Sequence, residues 1–149
     1  MKHNPNIVIA ESEGIIAADI RSRLIGWGYS MVHVAESVER TFTRIEERAP
    51  NLVILDQGIK GNIEVTHAVT QISNKYHVAV ILLVDCMNEK IRKCIKTLRW
   101  FYCISKPFDL EELHSLIQLA VIESYQDIGK DSEMLIHECV KYNIIGIGS

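Results

Sequence analysis

The sequence predicts an α/β fold, a doubly wound five-stranded parallel sheet with helices on both faces. Short apolar runs recur five times, and each is followed by a segment with helical spacing. Strands that alternate with helices indicate a parallel sheet covered on both faces, and right-handed crossovers make it doubly wound. The 149 residues suit one domain, and the hydrophobic share of 48% is enough for its core.

The five predicted strands are short, continuous apolar runs, as expected of strands that are buried on both faces of a parallel sheet. They cover residues 6–10, 31–35, 52–55, 78–84 and 101–104. The fourth is the most apolar run in the chain, and the third leads straight into Asp56.

The first two predicted helices begin at serines and end at glycine or proline. Ser12 and Ser37 are the predicted N-caps, because a serine side chain can accept hydrogen bonds from the free amides of a first helical turn. Gly26 ends the first helix, and Pro50 ends the second because proline disfavours helical geometry in the preceding residue. The predicted buried faces are Ile16, Ile20 and Leu24, and then Val38, Phe42 and Ile45.

Three further helices follow the last three strands. Their predicted inward faces are Val65, Ala68, Val69 and Ile72; Ile91, Ile95 and Leu98; and Leu110, Leu113, Ile117, Ala120 and Val121. The fourth helix, at 90–99, is basic on its other faces, and Asp109 is the predicted N-cap of the last helix.

Composition excludes several classes of protein. The formal charge of −3 gives no global basic surface for nucleic acid, and no apolar run is long enough to span a membrane. The polar residues 1–6 do not form a signal peptide. The four cysteines lack a C-x-x-C pair, and the six histidines lack metal-ligand spacing. We therefore expect a cytoplasmic protein with reduced thiols, no zinc site, and neither a nucleic-acid nor a membrane partner.

Chemistry-bearing residues follow the strands of this predicted sheet. Glu11, Asp56, Val84 and Lys106 come after the first, third, fourth and fifth strands. Function in parallel sheets gathers at the carboxyl ends of the strands. We therefore expect two acidic groups, a lysine and the glycine-containing loop 57–62 to converge at one edge.

This layout resembles the receiver domain of two-component response regulators, of the chemotaxis-regulator type. The resemblance rests on residues 9–17, 52–56 and 105–108, in this order and spacing. It implies a flavodoxin-like receiver fold over residues 1–126, with 127–149 as a C-terminal helical tail or linker.

The resemblance also implies a role for each strand-end residue. Asp56 corresponds to the phospho-acceptor and Lys106 to the phosphate-binding lysine. Glu11, Asp56 and the backbone carbonyl of Gly58 correspond to ligands of Mg²⁺. A carboxylate can attack phosphorus as a nucleophile, and Mg²⁺ prefers oxygen ligands.

The sequence departs from the receiver pattern at several positions. Ser12 stands at the second acidic position of the metal site, and Val84 stands where receivers place a threonine or serine. Cys103 occupies the position of the switch aromatic, with Tyr102 adjacent, and Lys60 stands where proline is common. We therefore expect weak Mg²⁺ binding and one fewer hydrogen bond to a phosphoryl group.

Three functions compete on this basis. The first is a signalling receiver that accepts a phosphoryl group on Asp56 from a sensor histidine kinase. Its other expected partner is an output domain of a longer protein. We do not expect enzyme activity beyond self-catalysed phosphotransfer and dephosphorylation. The second is a degenerate pseudo-receiver that binds proteins without phosphorylation, which Ser12 and Val84 favour. The third, a cofactor-binding enzyme, needs a phosphate-binding glycine-rich loop after the first strand, and residues 11–14 do not supply one.

A homodimer is a further expectation. The helix at 90–99 is basic, whereas Asp109, Glu111 and Glu112 make the start of the last helix acidic. In a symmetric dimer built on these elements, the two charge patterns would pair across the axis.

Overall fold

The computed structural model describes residues 4–125. The predicted tail at 127–149 lies outside the described residues, so its helix and the domain boundary at 126 stay predictions. No helix within 4–125 is both long and apolar enough to cross a membrane.

The sheet confirms the predicted fold class. All five strands are parallel and lie in the order β2-β1-β3-β4-β5. The strands are β1 (Asn6–Ala10), β2 (Met31–Ala35), β3 (Leu52–Asp56), β4 (Ala79–Val84) and β5 (Phe101–Ser105).

Five helices connect and cover these strands. They are α1 (Gly14–Gly26), α2 (Val38–Arg48), α3 (Val65–Gln71), α4 (Glu89–Thr97) and α5 (Leu110–Tyr125). A π-helical segment, Ile72–Tyr76, continues directly from α3.

Each strand contributes to two cores because successive side chains point to opposite faces of the sheet. Within β3, Val53 and Leu55 join the cluster that contains residues of α2, the α3–π segment and α4. Leu52 and Ile54 join the cluster formed with α1 and α5. The helices therefore lie on both faces, two on one and three on the other.

The predicted helix caps are partly confirmed. The Ser37 hydroxyl accepts a hydrogen bond from the Arg40 amide at 3.1 Å, and the Asp109 carboxylate accepts from the Glu111 amide at 3.2 Å. The prediction for Ser12 is wrong: Glu13 occupies the N-cap position of α1 and makes no side-chain cap. The Ser12 hydroxyl is instead bound to two neighbouring loops, as described below.

Two predicted inward positions are also wrong. Ile16 of α1 is 41% exposed and Leu110 of α5 is 37% exposed. Both lie in the first turns of their helices and border an open cavity rather than the closed core. Deeper in the same helices, Leu24 and Ile117 are completely buried as predicted.

The outer edge of β2 is covered by two arginine side chains. The Arg21 Nε donates to the Val32 carbonyl at 3.1 Å, and the Arg44 Nε donates to the Val34 carbonyl at 3.2 Å. Arg21 reaches this edge from α1 and Arg44 reaches it from α2. The free carbonyls of an edge strand are thus hydrogen-bonded within the chain.

Candidate functional site

The predicted site residues lie together at the carboxyl edge of the sheet. Asp56 is the last residue of β3, and Glu11 directly follows β1, the strand beside it. Lys106 directly follows β5, on the far side of β4. All three line one open cavity of about 270 Å³.

Asp56 is a buried carboxylate, only 6% exposed, with a hydrogen-bond donor for each oxygen. The Lys106 ammonium donates to Oδ1, and the Gly58 amide donates to Oδ2 at 2.9 Å. A Cβ atom on Gly58 would lie 3.1 Å from the same Oδ2, so a side chain there would push against the carboxylate. Glycine therefore suits this close approach.

Lys106 is positioned through its backbone. Its amide donates to the carbonyl of Val84, the last residue of β4, at 2.8 Å. The Lys106–Pro107 peptide bond is cis. Burial alone would lower the pKa of Lys106, but the carboxylates of Asp56 and Asp85 outweigh it and raise this pKa above its ordinary value.

Glu11 is buried beside this ion pair. Burial raises the pKa of Glu11 above its ordinary value; the Glu13 amide, which donates to Oε2 at 3.0 Å, opposes the shift, and the Asp56 carboxylate adds to it. The Lys106 ammonium contacts Asp56 and lowers the pKa of Glu11 only through space, so it offsets part of the effect of burial there. Such an arrangement of perturbed groups in a cleft is typical of functional sites.

Ser12 connects three loops at this edge. Its hydroxyl donates to the Glu36 carbonyl at 3.0 Å and accepts from the Lys60 amide at 2.8 Å. These contacts tie the loop after β1 to the loops after β2 and β3. The hydroxyl therefore has a structural role in the free protein.

Val84 and Cys103 are both buried in the core on the α2–α4 side of the sheet. Each is 1% exposed, and burial raises the pKa of the Cys103 thiol. Tyr102, the adjacent aromatic residue, is fully buried on the opposite face, against α1 and α5.

Two residues that sequence reasoning missed also belong to this edge. Asp85 follows β4, and its Oδ2 lies 3.5 Å from the Lys106 Nζ. Gln57 follows Asp56, and its side chain contacts the loop after β4. In the sequence, both residues could have been found only by their position just after a predicted strand, since such positions meet at the edge of the sheet that holds the site.

The cavity beside the site lies between α1, along residues 16–24, and the first turn of α5. Its apolar lining consists of Ile16, Ile20, Leu24, Leu83, Phe108, Leu110 and Leu113. Ile15, the preceding residue of α1, is 88% exposed. An apolar surface therefore borders the buried carboxylates.

Comparisons with known proteins agree with this architecture. The family model described as the response regulator receiver domain matches residues 7–118. No curated protein matches the chain.

Several solved structures resemble the chain. The receiver domain of a modulated diguanylate cyclase from Desulfovibrio desulfuricans G20 matches with a TM-score of 0.73 at 17% identity, over 85% of this chain and 100% of that one. The receiver domain of NtrX from Brucella abortus matches with a TM-score of 0.69 at 22% identity, over 78% and 98% of the two chains. A larger NtrX structure gives a TM-score of 0.71 at 22% identity, over 82% of this chain but only 28% of that one.

The structural likeness establishes the fold, and the family model covers most of the chain. Receiver domains of this kind are signal-transduction modules of two-component systems. The chain belongs to the response regulator receiver domain family.

Proposed function

We propose that this receiver accepts a phosphoryl group on Asp56 from a sensor histidine kinase. The observation that carries the proposal is the contact between Lys106 and a buried carboxylate at the end of β3. The carboxylate is accessible from the cavity, and the ammonium lies where it can neutralise charge on an attached phosphoryl group.

The transfer requires little covalent chemistry from the protein. An Asp56 oxygen attacks the phosphorus of a phosphohistidine, and an O–P bond forms as the N–P bond breaks. The electron pair of the broken bond passes to the imidazole, which takes up a proton from solvent. Catalysis then depends on positioning and positive charge, and Lys106 supplies one such charge.

The residues present fit a weakly bound Mg²⁺. Glu11 and Asp56 supply two carboxylates, and the Gly58 carbonyl is the proposed third protein ligand. Within residues 4–125, no group of three histidine, cysteine or acidic side chains is placed to hold a metal ion. Mg²⁺ commonly keeps several waters and takes only one or two carboxylates, so this donor set suits it. When bound, the ion would supply positive charge to the phosphoryl oxygens.

The apolar border of the cavity supports a protein partner as the phosphoryl donor. Ile16 of α1 and Leu110 of α5 are partly exposed and line the same cavity as Asp56, and the adjacent Ile15 is 88% exposed. A helical kinase surface that covered these residues would bring its phosphohistidine to the cavity. Such a partner implies a cytoplasmic location for this chain.

An output domain in a longer protein is a further part of the proposal. In the larger NtrX structure the matched region is 28% of the chain, and another structural neighbour is described as the N-terminal domain of a response regulator/sensory box/GGDEF three-domain protein. These neighbours carry receivers next to other domains.

The alternative function is a pseudo-receiver that binds its partner without phosphorylation. Two observations favour it. The Ser12 hydroxyl is already bound to the backbone of Glu36 and Lys60, and Val84 offers only a buried methyl surface where receivers have a hydroxyl. Either way, the chain acts in signalling and not as an enzyme with a substrate to turn over.

Intact mass spectrometry separates the two functions. The full chain is incubated with a small phosphodonor and Mg²⁺, and we expect a mass gain of one phosphoryl group that Asp56→Asn abolishes. Glu47→Gln, on the exposed surface of α2 and outside the lining of this cavity, is the matched control and should label like wild type. No mass gain in wild type from either a phosphodonor or a panel of phosphorylated kinases would contradict phospho-acceptance.

A further inference from the structure

The loop that follows β4 is held by one side chain from the end of β3. The Gln57 Oε1 accepts hydrogen bonds from the amides of Asp85 at 2.7 Å and Cys86 at 2.9 Å. The Gln57 Nε2 donates to the Cys86 carbonyl at 2.9 Å. The amide group thus uses both of its acceptor lone pairs and one donor on two consecutive loop residues.

Little else holds these two loop residues. Asp85 and Cys86 are both exposed, so burial contributes little to their position. Among the hydrogen bonds described for residues 4–125, Gln57 provides the acceptor for both of their amides. The neighbouring positions are anchored, since the Val84 carbonyl accepts from the Lys106 amide at 2.8 Å.

The same loop delivers a second carboxylate to the site. Asp85 Oδ2 lies 3.5 Å from the Lys106 Nζ, which also donates to Asp56. A continuous series of contacts therefore runs from Gln57 through Asp85 and Lys106 to Asp56. The Asp85 side chain is 58% exposed, so its position beside Lys106 depends on the backbone that Gln57 holds.

The held loop also determines where α4 begins. Asn88 is the N-cap of α4, and its side chain accepts from the Ile91 amide at 2.8 Å. Only two residues separate Cys86 from the first residue of α4. A loop fixed at Asp85 and Cys86 thus fixes the start of this helix.

We propose that Gln57 is a latch that holds loop residues 85–88, with Asp85 beside Lys106, in one conformation in the unmodified protein. In this chain the loop after β4 has no hydroxyl at Val84 to bind an incoming group. Its position is set instead by the side chain next to Asp56. The inference goes beyond phospho-acceptance, because the latch is formed without any group on Asp56.

Amide hydrogen exchange of the untreated full chain, followed by NMR, tests the latch. In Gln57→Leu the amides of Asp85 and Cys86 lose their acceptor, and we expect them to exchange at least about tenfold faster than in wild type. Gln57→Glu keeps the acceptor oxygens and should retain most of the protection. Gln71→Leu, at an exposed position of α3, is the matched control and should leave both amides unchanged.

Internal reference amides separate a latch from a general loss of stability. The amides of Gln57 and Lys106 donate to the carbonyls of Leu83 and Val84, independently of the Gln57 side chain. Unchanged exchange of Asp85 and Cys86 in Gln57→Leu would overturn the latch. Equal acceleration of the reference amides would overturn it too, because the loss would then be global. Neither result depends on whether Asp56 accepts phosphate.

Discussion

The Lys106 ammonium reaches across the end of β4 to the Asp56 carboxylate. The two residues are fifty positions apart in sequence. Their contact passes the carboxyl end of β4, which consists of Leu83 and Val84. Asp56 is nearly buried, so its negative charge is tolerable only because a cation and a backbone amide bind it. The stability of the free protein therefore depends on this pair.

Replacing Lys106 by methionine should destabilise the protein by about 2 kcal/mol at neutral pH, because it leaves Asp56 and Glu11 as buried charges without their cation. The Lys106 side chain is 30% exposed, which limits the loss. Urea unfolding measures it. Adding Asp56→Asn should recover part of the loss. Lys96→Met, on the exposed side of α4, should change little, and an equal loss there would contradict the assignment.

Glu11→Gln should stabilise the free protein by about 1 kcal/mol at neutral pH in the absence of Mg²⁺. The pKa of Glu11 is raised on folding. Between the ordinary pKa and this raised pKa, the folded state therefore binds more protons than the unfolded state, so the free energy of unfolding falls as pH rises through that range. The gain should disappear below the ordinary pKa of 4.5, where Glu11 is neutral in both states. Urea unfolding across this pH range measures it.

The exposed Glu13 provides the control for that measurement, since Glu13→Gln removes a charge of the same type only two residues from Glu11 and keeps the backbone amide that donates to it. It should show no comparable gain. A loss of stability in Glu11→Gln at neutral pH would mean that the Glu11 charge is stabilising in the folded state.

Ser12→Asp should tighten Mg²⁺ binding about tenfold, which corresponds to about 1.4 kcal/mol, by adding a charged ligand. It should also destabilise the metal-free protein by about 1 kcal/mol, since an ionised carboxylate cannot donate to the Glu36 carbonyl and adds charge near Glu11. Titration with Mg²⁺ and urea unfolding measure the two effects. Ser12→Asn, neutral and able to donate, should do neither. Unchanged Mg²⁺ affinity in Ser12→Asp would mean that this position does not face the metal.

Val84→Thr should speed labelling of Asp56 by a small phosphodonor, because it returns a hydroxyl donor for the phosphoryl oxygens. Resting Mg²⁺ affinity should stay nearly unchanged, while burying the hydroxyl should destabilise the fold by about 1–2 kcal/mol. Val80→Thr, buried on the same face of β4, is the matched control with a similar destabilisation and no gain in labelling.

The variant that combines Ser12→Asp and Val84→Thr should label faster than wild type. Equal rates would remove the argument for a pseudo-receiver.

Self-association is expected to use the basic α4 and the acidic start of α5. Lys90 and Arg92 already pair with Glu64 and Glu89 in the same chain, so the remaining basic residues of α4 would face Glu111 and Glu112 of a second copy. These charges would add orientation more than affinity. Sedimentation velocity of the full chain should show a dimer that Glu111→Lys weakens, and a strict monomer at high concentration would contradict it.

The sequence predicted the strands well because each is an apolar run with polar neighbours, and the bounds of β1 and β2 agree to the residue. The start of β4 was placed one residue early. Val78 lies in the short link between the π-helical segment and β4, where its amide donates to the Ile72 carbonyl at 3.4 Å. His77 has a left-handed backbone conformation and turns the chain toward β4. The pattern of apolar residues does not predict this conformation.

The site was predictable only as far as strand ends define it. Glu11, Asp56 and Lys106 each follow a strand directly, so parallel topology alone brings them to one edge. The contacts of Ser12 and Gln57 run between loops that are distant in sequence. Local sequence patterns do not predict contacts between such distant residues. The sequence therefore predicts a helix cap at Ser12 and no role for Gln57.

The arginine-covered edge of β2 limits how the sheet can be extended by a strand from another chain. Arg21 and Arg44 occupy the carbonyls of Val32 and Val34 that an added strand would need. A neighbouring sheet at high local concentration would have to displace both side chains before it could extend this one. Edge-to-edge pairing at β2, a route by which sheet proteins aggregate, is therefore opposed by side chains of the same chain.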